Sequence, residues 1–163
     1  MEPALSLVIP AYNEERRLGP TLDRVIDYLG RRQEPWEIVV VDDGSPDGTS
    51  ALVERLARSV PQLRLLRNEI NRGKGFSVRR GVLEARGEVV LFSDADLSTP
   101  IEEAGRLMAV IGQGYDIVVG SRDIIGSRIE VPQPFHRRLM GYTFMVLRDW
   151  IAVSGFRDTQ CGF

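Results

Sequence analysis

The sequence of 163 residues contains one cysteine, Cys161, and one histidine, His136. A single cysteine excludes an internal disulfide and a cysteine-rich zinc site, and a single histidine excludes a metal site built from several histidines. Long hydrophobic runs are also missing, because no stretch reaches the roughly 18 apolar residues that a transmembrane helix needs. The apolar run at the N-terminus is too short for a signal peptide. The sequence therefore predicts neither a disulfide-stabilised fold nor a membrane span within its own length.

Charge of one sign does not dominate the sequence, since 21 basic residues stand against 23 acidic ones and the net charge is -2. No overall positive field draws the chain toward nucleic acid, and we expect no nucleic-acid partner. Hydrophobic residues make up 43% and charged residues 27%, which is the balance of a soluble globular domain with its own core. We expect one domain over residues 1–163. Because the sequence stops at "DTQCGF" without a polar tail, we expect it to be truncated at the C-terminus.

Apolar runs alternate with helical periodicities along the chain. Strands are predicted at residues 5–9, 37–43, 63–68, 88–93 and 116–122, and helices at 14–29, 73–87, 98–114 and 135–153. A turn and a helix are predicted within residues 45–60, and a loop at 124–134. Alternating strands and helices, with strands rich in valine, isoleucine and leucine, are typical of a parallel sheet. The predicted fold class is therefore α/β, with a mainly parallel sheet and helices on both faces.

Four of the predicted strands end in polar clusters. These are "PAYNEE" after the first strand, "DDGS" after the second, "DAD" after the fourth and "GSR" after the fifth. In open parallel sheets, ligands bind outside the carboxyl ends of the strands. Several polar clusters at one edge of the sheet predict a binding site there.

Asp94 and Asp96 follow the fourth predicted strand and are separated by one residue, Ala95. Carboxylates at this spacing can face one ligand, and Ala95 is small enough to let it approach. Oxygen ligands suit a hard cation such as Mg²⁺, which usually shares its coordination shell with substrate phosphates. The alternative is a solvated turn whose acidic residues favour the N-terminus of the next helix. The motif alone leaves both interpretations open.

The second predicted strand ends at Asp42 and Asp43, which precede the glycine-rich turn "GSPDG". The two carboxylates either cap this turn or accept hydrogen bonds from a base N–H or ribose hydroxyls. Lys74 lies between two glycines at a predicted helix start, where a lysine and a helix N-terminus attract phosphate. A glycine turn with a solvated lysine is the alternative.

Several arginines follow the fifth predicted strand. Arg122, Arg137 and Arg138 either hold a phosphate or are ordinary surface charges. His136 has no acid or nucleophile beside it in the sequence, and we interpret it as structural.

Five segments, in their order along the chain, resemble one protein family. They are "SLVIPAYNEE", "VVVDDGSPDGT", "NRGKGFSVRRGVLEARGEVVLFSDADLSTP", "DIVVGSR" and "RDTQCGF". Together they look like the family 2 glycosyltransferases of the GT-A fold, and within them the branch that transfers sugars to polyprenyl or dolichyl phosphate. That branch contains glucosyltransferases and mannose synthases. The resemblance covers nearly the whole chain and implies one Rossmann-like GT-A domain over residues 1–163.

The resemblance implies a role for each polar cluster. Asp94 and Asp96 would be a DxD motif that holds Mg²⁺ or Mn²⁺ together with the diphosphate of a nucleotide-sugar donor. The rest of the nucleotide-sugar site would be Pro10, Ala11, Tyr12, Glu14, Asp42, Asp43, Lys74 and Ala95. The acceptor phosphate would be bound by Arg122, Arg137 and Arg138, and Asp158 is a candidate for orienting the acceptor.

Two details of the resemblance bear on the donor sugar. Mannose synthases of this branch often carry a glutamine where this sequence has Ser98, and "DTQCGF" is similar to the glucosyl branch. The resemblance therefore favours UDP-glucose, with GDP-mannose as the alternative. A non-catalytic nucleotide-sugar binding domain, a nucleotidyltransferase and a DxD phosphatase are further alternatives. The phosphatase is the weakest of them, because a haloacid-type phosphatase has its DxD after the first strand.

The implied acceptor is a lipid phosphate, and its chemistry has two consequences. A phosphate monoester is largely ionised at neutral pH because its second pKa is about 6, so attack on the sugar needs no strong general base. A single displacement inverts the anomeric configuration and gives a β-linked product from an α-linked donor. The lipid also implies a membrane surface as partner. We expect the protein at the cytoplasmic face of a membrane, either peripheral or anchored by a segment that this chain lacks.

Overall fold

The computed structural model describes residues 2–121. Residues 2–108 belong to one compact unit and residues 109–121 to a second. In chain order the elements are β1 (Leu5–Ala11), α1 (Leu18–Gly30), β2 (Trp36–Asp42), α2 (Thr49–Ala57), β3 (Leu63–Arg67), α3 (Lys74–Glu84), β4 (Val89–Phe92), a short 3₁₀ turn (Ile101–Glu103) and α4 (Ala104–Ile111). In this part of the chain, no helix is both long and apolar enough to cross a membrane.

The four strands form one sheet in the order β3-β2-β1-β4, and every pairing is parallel. Ala11 at the end of β1 pairs with Asp42 at the end of β2, which in turn pairs with Arg67 at the end of β3. The carboxyl ends of these three strands are therefore level with one another. The mainly parallel sheet predicted from the sequence is confirmed.

Helices cover both faces of the sheet, as predicted. Leu7 and Ile9 of β1 pack on one face in a core shared with Leu22 of α1 and Val53 of α2. Val8 of β1 faces the opposite side with neighbouring valines of β2, and α3 lies over them. All seven residues of β1 are buried, because a strand in the middle of a two-sided sheet has no solvent-facing row.

The predicted fifth strand at 116–122 is wrong for its described residues. Residues 116–121 pair with no strand among those that the structure describes, and residue 122 lies outside them. Ile117 is 80% exposed and Val119 is 43% exposed. An apolar run indicates a strand only where a neighbouring strand satisfies its backbone N–H and C=O groups, and periodicity does not report that neighbour.

Several predicted helices are shorter than expected. The helix predicted from residue 14 begins at Leu18, and the residues before it form a turn closed by a bond from the Arg17 N–H to the Glu14 carbonyl oxygen at 3.0 Å. The helix predicted at 98–114 consists of the 3₁₀ turn followed by α4. The predicted loop at 124–134 and helix at 135–153 lie outside the described residues.

Candidate active site

At the carboxyl edge of the sheet, hydrogen bonds join the loop after β1 to the loop after β2, and helix α1 to the loop after β4. The backbone N–H of Asn13, after β1, donates to Ser45 Oγ after β2 at 3.0 Å. Thr21 of α1 is buried, and its hydroxyl donates to the carbonyl oxygen of Ala95 at 2.7 Å. The structure therefore brings the predicted clusters "PAYNEE", "DDGS" and "DAD" to the same edge of the molecule.

A salt bridge joins Lys74 and Asp94, with 2.6 Å between Lys74 Nζ and Asp94 Oδ1. Lys74 is the first residue of α3, and Asp94 follows β4. The Lys74 ammonium also lies 5.2 Å from the centroid of the Phe92 ring. Lysine thus compensates one of the two acidic charges of the DxD motif, and a cation capable of binding phosphate stands beside that motif.

Asp96 is compensated by different partners. Its Oδ1 accepts hydrogen bonds from the backbone N–H of Ser98 at 3.0 Å and from the Ser98 hydroxyl at 2.7 Å. Desolvation by the surrounding protein raises the pKa of Asp96, but the bonds from Ser98 and the nearby charge of Arg17 outweigh it and hold the pKa below its usual 3.8. Asp96 is therefore a carboxylate at neutral pH.

The backbone of the DxD turn is strained at Leu97, whose φ is +47°. Leucine rarely adopts this left-handed conformation, which costs roughly 1–2 kcal/mol for a residue with a Cβ. The turn is held by a bond from the Leu97 N–H to the Asp94 carbonyl oxygen at 3.2 Å, and by Thr21 on the far side of Ala95. Strain of this kind is concentrated at functional sites, where the surrounding structure maintains it.

The donor set of the DxD turn fits a hard divalent cation. Asp94 and Asp96 supply ionised carboxylate oxygens on a short loop. In the stretch from residue 2 to residue 121, no three His, Cys, Asp or Glu side chains are grouped as a metal cage. Mg²⁺ commonly binds through one or two carboxylates and takes its other ligands from phosphates and water. The two carboxylates therefore fit a metal that is shared with a bound diphosphate.

Asp42 is fully buried and serves the turn that follows β2. It accepts hydrogen bonds from the backbone N–H of Ser45 at 3.1 Å and from the hydroxyls of Ser45 and Ser50. Arg67 Nε lies 3.7 Å from its Oδ2. The interpretation that Asp42 caps this turn is confirmed, whereas its contact with a base or ribose stays a prediction.

Asp43 is 3% exposed and is held by the loop that precedes α3. Its Oδ1 accepts from Asn68 Nδ2 at 2.6 Å and from the Arg72 N–H at 3.0 Å, and its Oδ2 accepts from the Gly73 N–H at 2.7 Å. Burial raises the pKa of Asp43, but these hydrogen bonds outweigh burial and hold the pKa below its usual 3.8. A role for Asp43 toward the nucleotide also stays a prediction.

The residues predicted to line a base pocket lie at the end of β1 and just beyond it. Pro10 and Ala11 are buried, and Tyr12 is 43% exposed. The carboxylate of Glu14 is bound by the guanidinium of Arg17 through two hydrogen bonds of 2.8 Å. A cavity of about 380 Å³ opens beside them and is lined by Asn13, Glu15, Arg16, Arg17 and Asp47.

Sequence reasoning missed three residues that support the site. Asn68, which follows β3, could have been found, because it is a polar residue at a strand end like Asp42 and Asp43. Thr21 and Ser77 carry no such signal, since each is a small polar residue inside an amphipathic helix. The remaining predicted site residues, Arg122, Arg137, Arg138 and Asp158, lie outside the described residues.

The family model described as "Glycosyl transferase family 2" matches residues 6–161. The chain belongs to glycosyltransferase family 2. The resemblance drawn from five sequence segments is thereby confirmed, and so is the expectation of an α/β fold of this family.

Curated relatives of this family 2 chain are dolichyl-phosphate beta-glucosyltransferases. One from Trichomonas vaginalis is 41% identical, over 97% of this chain and 50% of the relative. The Homo sapiens protein is 35% identical, over 98% of this chain and 53% of the relative. The chain spans about half the length of the curated relatives that it matches.

Two solved structures share the fold. The mannosyltransferase PcManGT from Pyrobaculum calidifontis, in complex with GDP-Man and Mn²⁺, has a TM-score of 0.51 and 33% identity, covering 59% of this chain and 28% of that one. S. aureus TarS in complex with UDP-GlcNAc has a TM-score of 0.52 and 30% identity, covering 68% of this chain and 32% of that one. Both structures contain a nucleotide sugar, and one of them contains a divalent metal.

Proposed function

We propose that this chain carries the donor-binding part of an inverting glycosyltransferase that moves glucose from UDP-glucose to a polyprenyl or dolichyl phosphate. The proposal rests on the salt bridge between Lys74 and Asp94. This salt bridge lies next to Asp96, at the carboxyl edge of a parallel sheet. The arrangement combines a fixed cation with two acidic residues that fit a divalent metal, which is what a bound diphosphate requires. The names of the curated relatives support glucose as the sugar and dolichyl phosphate as the acceptor.

On the donor side, the base and ribose would lie against Pro10, Ala11, Tyr12 and Glu14 at the end of β1. The Lys74 ammonium would bind the diphosphate, and the DxD carboxylates would hold Mg²⁺ or Mn²⁺ against it. When bound, the metal would neutralise charge that develops on the departing UDP. Ser98 would keep Asp96 ionised and directed into the site through the two hydrogen bonds already described.

On the acceptor side, an oxygen of the lipid phosphate would bond to the anomeric carbon while the bond from that carbon to UDP breaks. The phosphate is already anionic at neutral pH, so the chain needs to orient it rather than to deprotonate it. We propose Arg122, Arg137 and Arg138 for this phosphate and Asp158 for orientation, as the sequence predicts. A lipid acceptor would place the reaction at a membrane surface, and we propose the cytoplasmic face.

The proposal is tested by thermal unfolding of the intact protein with UDP-glucose, GDP-mannose or ADP-glucose, each with and without Mn²⁺. We expect UDP-glucose to raise the Tm, and the rise to require Mn²⁺, because the metal bridges the carboxylates to the diphosphate. Transfer of labelled glucose to a polyprenyl phosphate in detergent then tests catalysis. A larger Mn²⁺-dependent rise with GDP-mannose would contradict the choice of donor.

Two alternatives have specific support. A GDP-mannose-dependent transferase is favoured by the likeness to the mannosyltransferase from Pyrobaculum calidifontis. A non-catalytic nucleotide-sugar binding domain is compatible with a chain that spans about half of its curated relatives. The comparison of Tm with UDP-glucose and with GDP-mannose tests the GDP-mannose-dependent transferase. Binding of UDP-glucose by the intact protein without transfer of glucose would favour the non-catalytic domain.

A further inference from the structure

The side chain of Asp43, directly after β2, binds the loop of residues 68–73. Asp43 accepts the backbone N–H groups of Arg72 and Gly73, at 3.0 and 2.7 Å, on its two carboxylate oxygens. Asn68 at the start of the loop donates to the same carboxylate at 2.6 Å and to the buried hydroxyl of Ser77 at 3.0 Å. One carboxylate therefore holds both ends of the loop.

A second observation shows that this loop and the turn after β2 are packed backbone against backbone. A Cβ at Gly44 would lie 2.8 Å from the carbonyl carbon of Ile70 and 3.0 Å from the backbone nitrogen of Asn71. Gly44 has a φ of +72°. Gly73, whose N–H donates to Asp43, has a φ of +89°. Both glycines occupy conformations that residues with a Cβ avoid, which allows the Asp43 carboxylate to reach the loop backbone.

The residue that follows this loop is Lys74. Its amine meets Asp94 at 2.6 Å, so the position of the Gly73 backbone determines where that amine can reach. We propose that Asp43 is a positioning residue that sets Lys74 against Asp94 by fixing the Arg72 and Gly73 amides. The inference rests on the proposed function for its consequence, since Lys74 is proposed there to bind the donor diphosphate.

The competing explanation is that Asp43 touches the base or ribose directly. Its side chain is 3% exposed, and both of its oxygens already accept hydrogen bonds from the chain. A buried carboxylate whose oxygens are already bonded in this way affects the site by positioning the groups that donate to it. If Asp43 is a positioning residue, its effect on nucleotide binding requires Lys74. If it touches the base or ribose, its effect on nucleotide binding is independent of Lys74.

A double-mutant cycle on Mn²⁺-dependent UDP affinity distinguishes them. A charge-assisted bond to phosphate is worth about ten- to a hundredfold in affinity, so Lys74→Met should weaken UDP binding by that range. Asp43→Asn should also weaken UDP binding, because the backbone N–H of either Arg72 or Gly73 then faces the side-chain NH₂ of asparagine instead of an acceptor oxygen. We expect the double variant to bind UDP about as weakly as Lys74→Met alone. Losses that multiply in the double variant would overturn the proposal.

The control is Asp47→Asn, which alters another carboxylate at the same edge. Asp47 accepts from the backbone N–H groups of Thr49 and Glu15 and does not hold the loop of residues 68–73. Its effect on UDP affinity should multiply with that of Lys74→Met. If Asp43→Asn fails to fold, Asn68→Ala is used in the same cycle, since Asn68 is 4% exposed and donates both to Asp43 and to Ser77 of α3, the helix that begins at Lys74.

A measurement without nucleotide separates this inference from the proposed function. Lys74 is the single lysine of the sequence, and acylation of its amine can be followed by peptide mass spectrometry. Pairing with Asp94 should slow acylation, so Asp94→Asn and Asp43→Asn should each speed it several-fold, without a further increase when combined. An unchanged rate in Asp43→Asn would overturn the positioning role, even if UDP binds. A failure of UDP to bind the wild-type protein, with the acylation result as expected, would overturn only the proposed function.

Discussion

At the scale of single residues, the two carboxylates of the DxD motif differ in what neutralises them. Asp94 faces a lysine from α3, whereas Asp96 is held by the turn that it begins and by the field of Arg17. The lysine belongs to another element of the fold, whereas the bonds from Ser98 are part of the turn itself. Asp94 is thus paired with a cation from another element, and Asp96 is bonded to its own turn.

Replacing Asp96 by alanine should abolish transfer and most of the Mn²⁺-dependent UDP binding. The residue is exposed on a turn, so its loss leaves no core cavity; we expect the domain to stay folded and to lose about 0.5–1.5 kcal/mol with the bonds from Ser98. Calorimetric titration of UDP with Mn²⁺, together with chemical denaturation, checks both points. Asp27→Ala, which removes an exposed acid from α1, is the control and should leave UDP binding intact. Full activity of Asp96→Ala at saturating Mn²⁺ would remove Asp96 from the metal site.

Thr21 supports the DxD turn from beneath, through the 2.7 Å bond from its hydroxyl to the Ala95 carbonyl oxygen. Thr21→Val keeps the shape of the side chain and removes that donor, which leaves a buried carbonyl without its partner. We expect a loss of about 1–3 kcal/mol in stability and weaker Mn²⁺-dependent UDP binding. Thr21→Ser retains the hydroxyl and should recover UDP binding more than stability. Equal UDP affinity in Thr21→Val and wild type would show that the turn keeps its shape without this bond.

At the scale of elements, α3 is the part that connects the sheet to the site. It lies directly on the strands at Gly81, where a Cβ would be 2.3 Å from Val8 Cγ1 and 3.0 Å from Val41 Cγ2. Both valines are fully buried and β-branched, so neither can move aside easily. Because α3 begins at Lys74, the depth at which it packs also determines where the ammonium stands.

Gly81→Ala should therefore destabilise the protein, although alanine is the better helix former. Overpacking a tight core contact costs about 1–3 kcal/mol, which exceeds the roughly 1 kcal/mol that alanine contributes in a helix. Gly75→Ala, in the same helix with no atom within 4 Å of the added Cβ, is the matched control and should be neutral or slightly stabilising. Urea denaturation of both variants checks this expectation. Equal stability of the two variants would mean that α3 shifts at no cost.

At the scale of the whole molecule, a buried charge network joins the amino ends of the sheet. Glu37 of β2 accepts from the Ser6 hydroxyl at 2.7 Å, from the Arg86 N–H at 2.7 Å and from Arg64 at 2.8 Å. Burial raises the pKa of Glu37, but these partners outweigh burial and hold the pKa below its usual 4.5. The network links β1, β2, β3 and the segment after α3.

The sign of the pH dependence follows from this shift. A carboxyl with a lower pKa in the folded state stabilises the fold at pH values above its unfolded pKa, and this contribution is lost as the pH falls through the folded pKa. We expect the free energy of unfolding to decrease as the pH is lowered through 4.5 and below, with Asp43 acting in the same direction. Glu37→Gln should lower stability at neutral pH by about 1–3 kcal/mol and flatten this dependence. Denaturation curves from neutral to acidic pH test it, and an unchanged slope in Glu37→Gln would contradict it.

Much of the molecule was predictable from the sequence, since local chemistry governs it. Continuous apolar runs such as that of β2 form buried parallel strands, and their polar ends must meet at one edge of the sheet. Those two rules locate Asp42 and Asp94 without reference to coordinates. The same reasoning failed at residues 116–121, because an apolar run does not show whether a partner strand is present.

The sequence by itself determined the α/β class, the strands β1 to β4 and the edge on which the acidic residues stand. It could do so because hydrophobic periodicity is a local property of the sequence, and because a helix between two strands returns the second strand parallel to the first. Only the tertiary structure decided that Lys74 pairs with Asp94, 20 positions along the chain, and that Asp43 holds the loop before Lys74. Such pairings depend on how deeply α3 packs and how closely two loop backbones approach, and these distances arise from packing between elements rather than from local sequence.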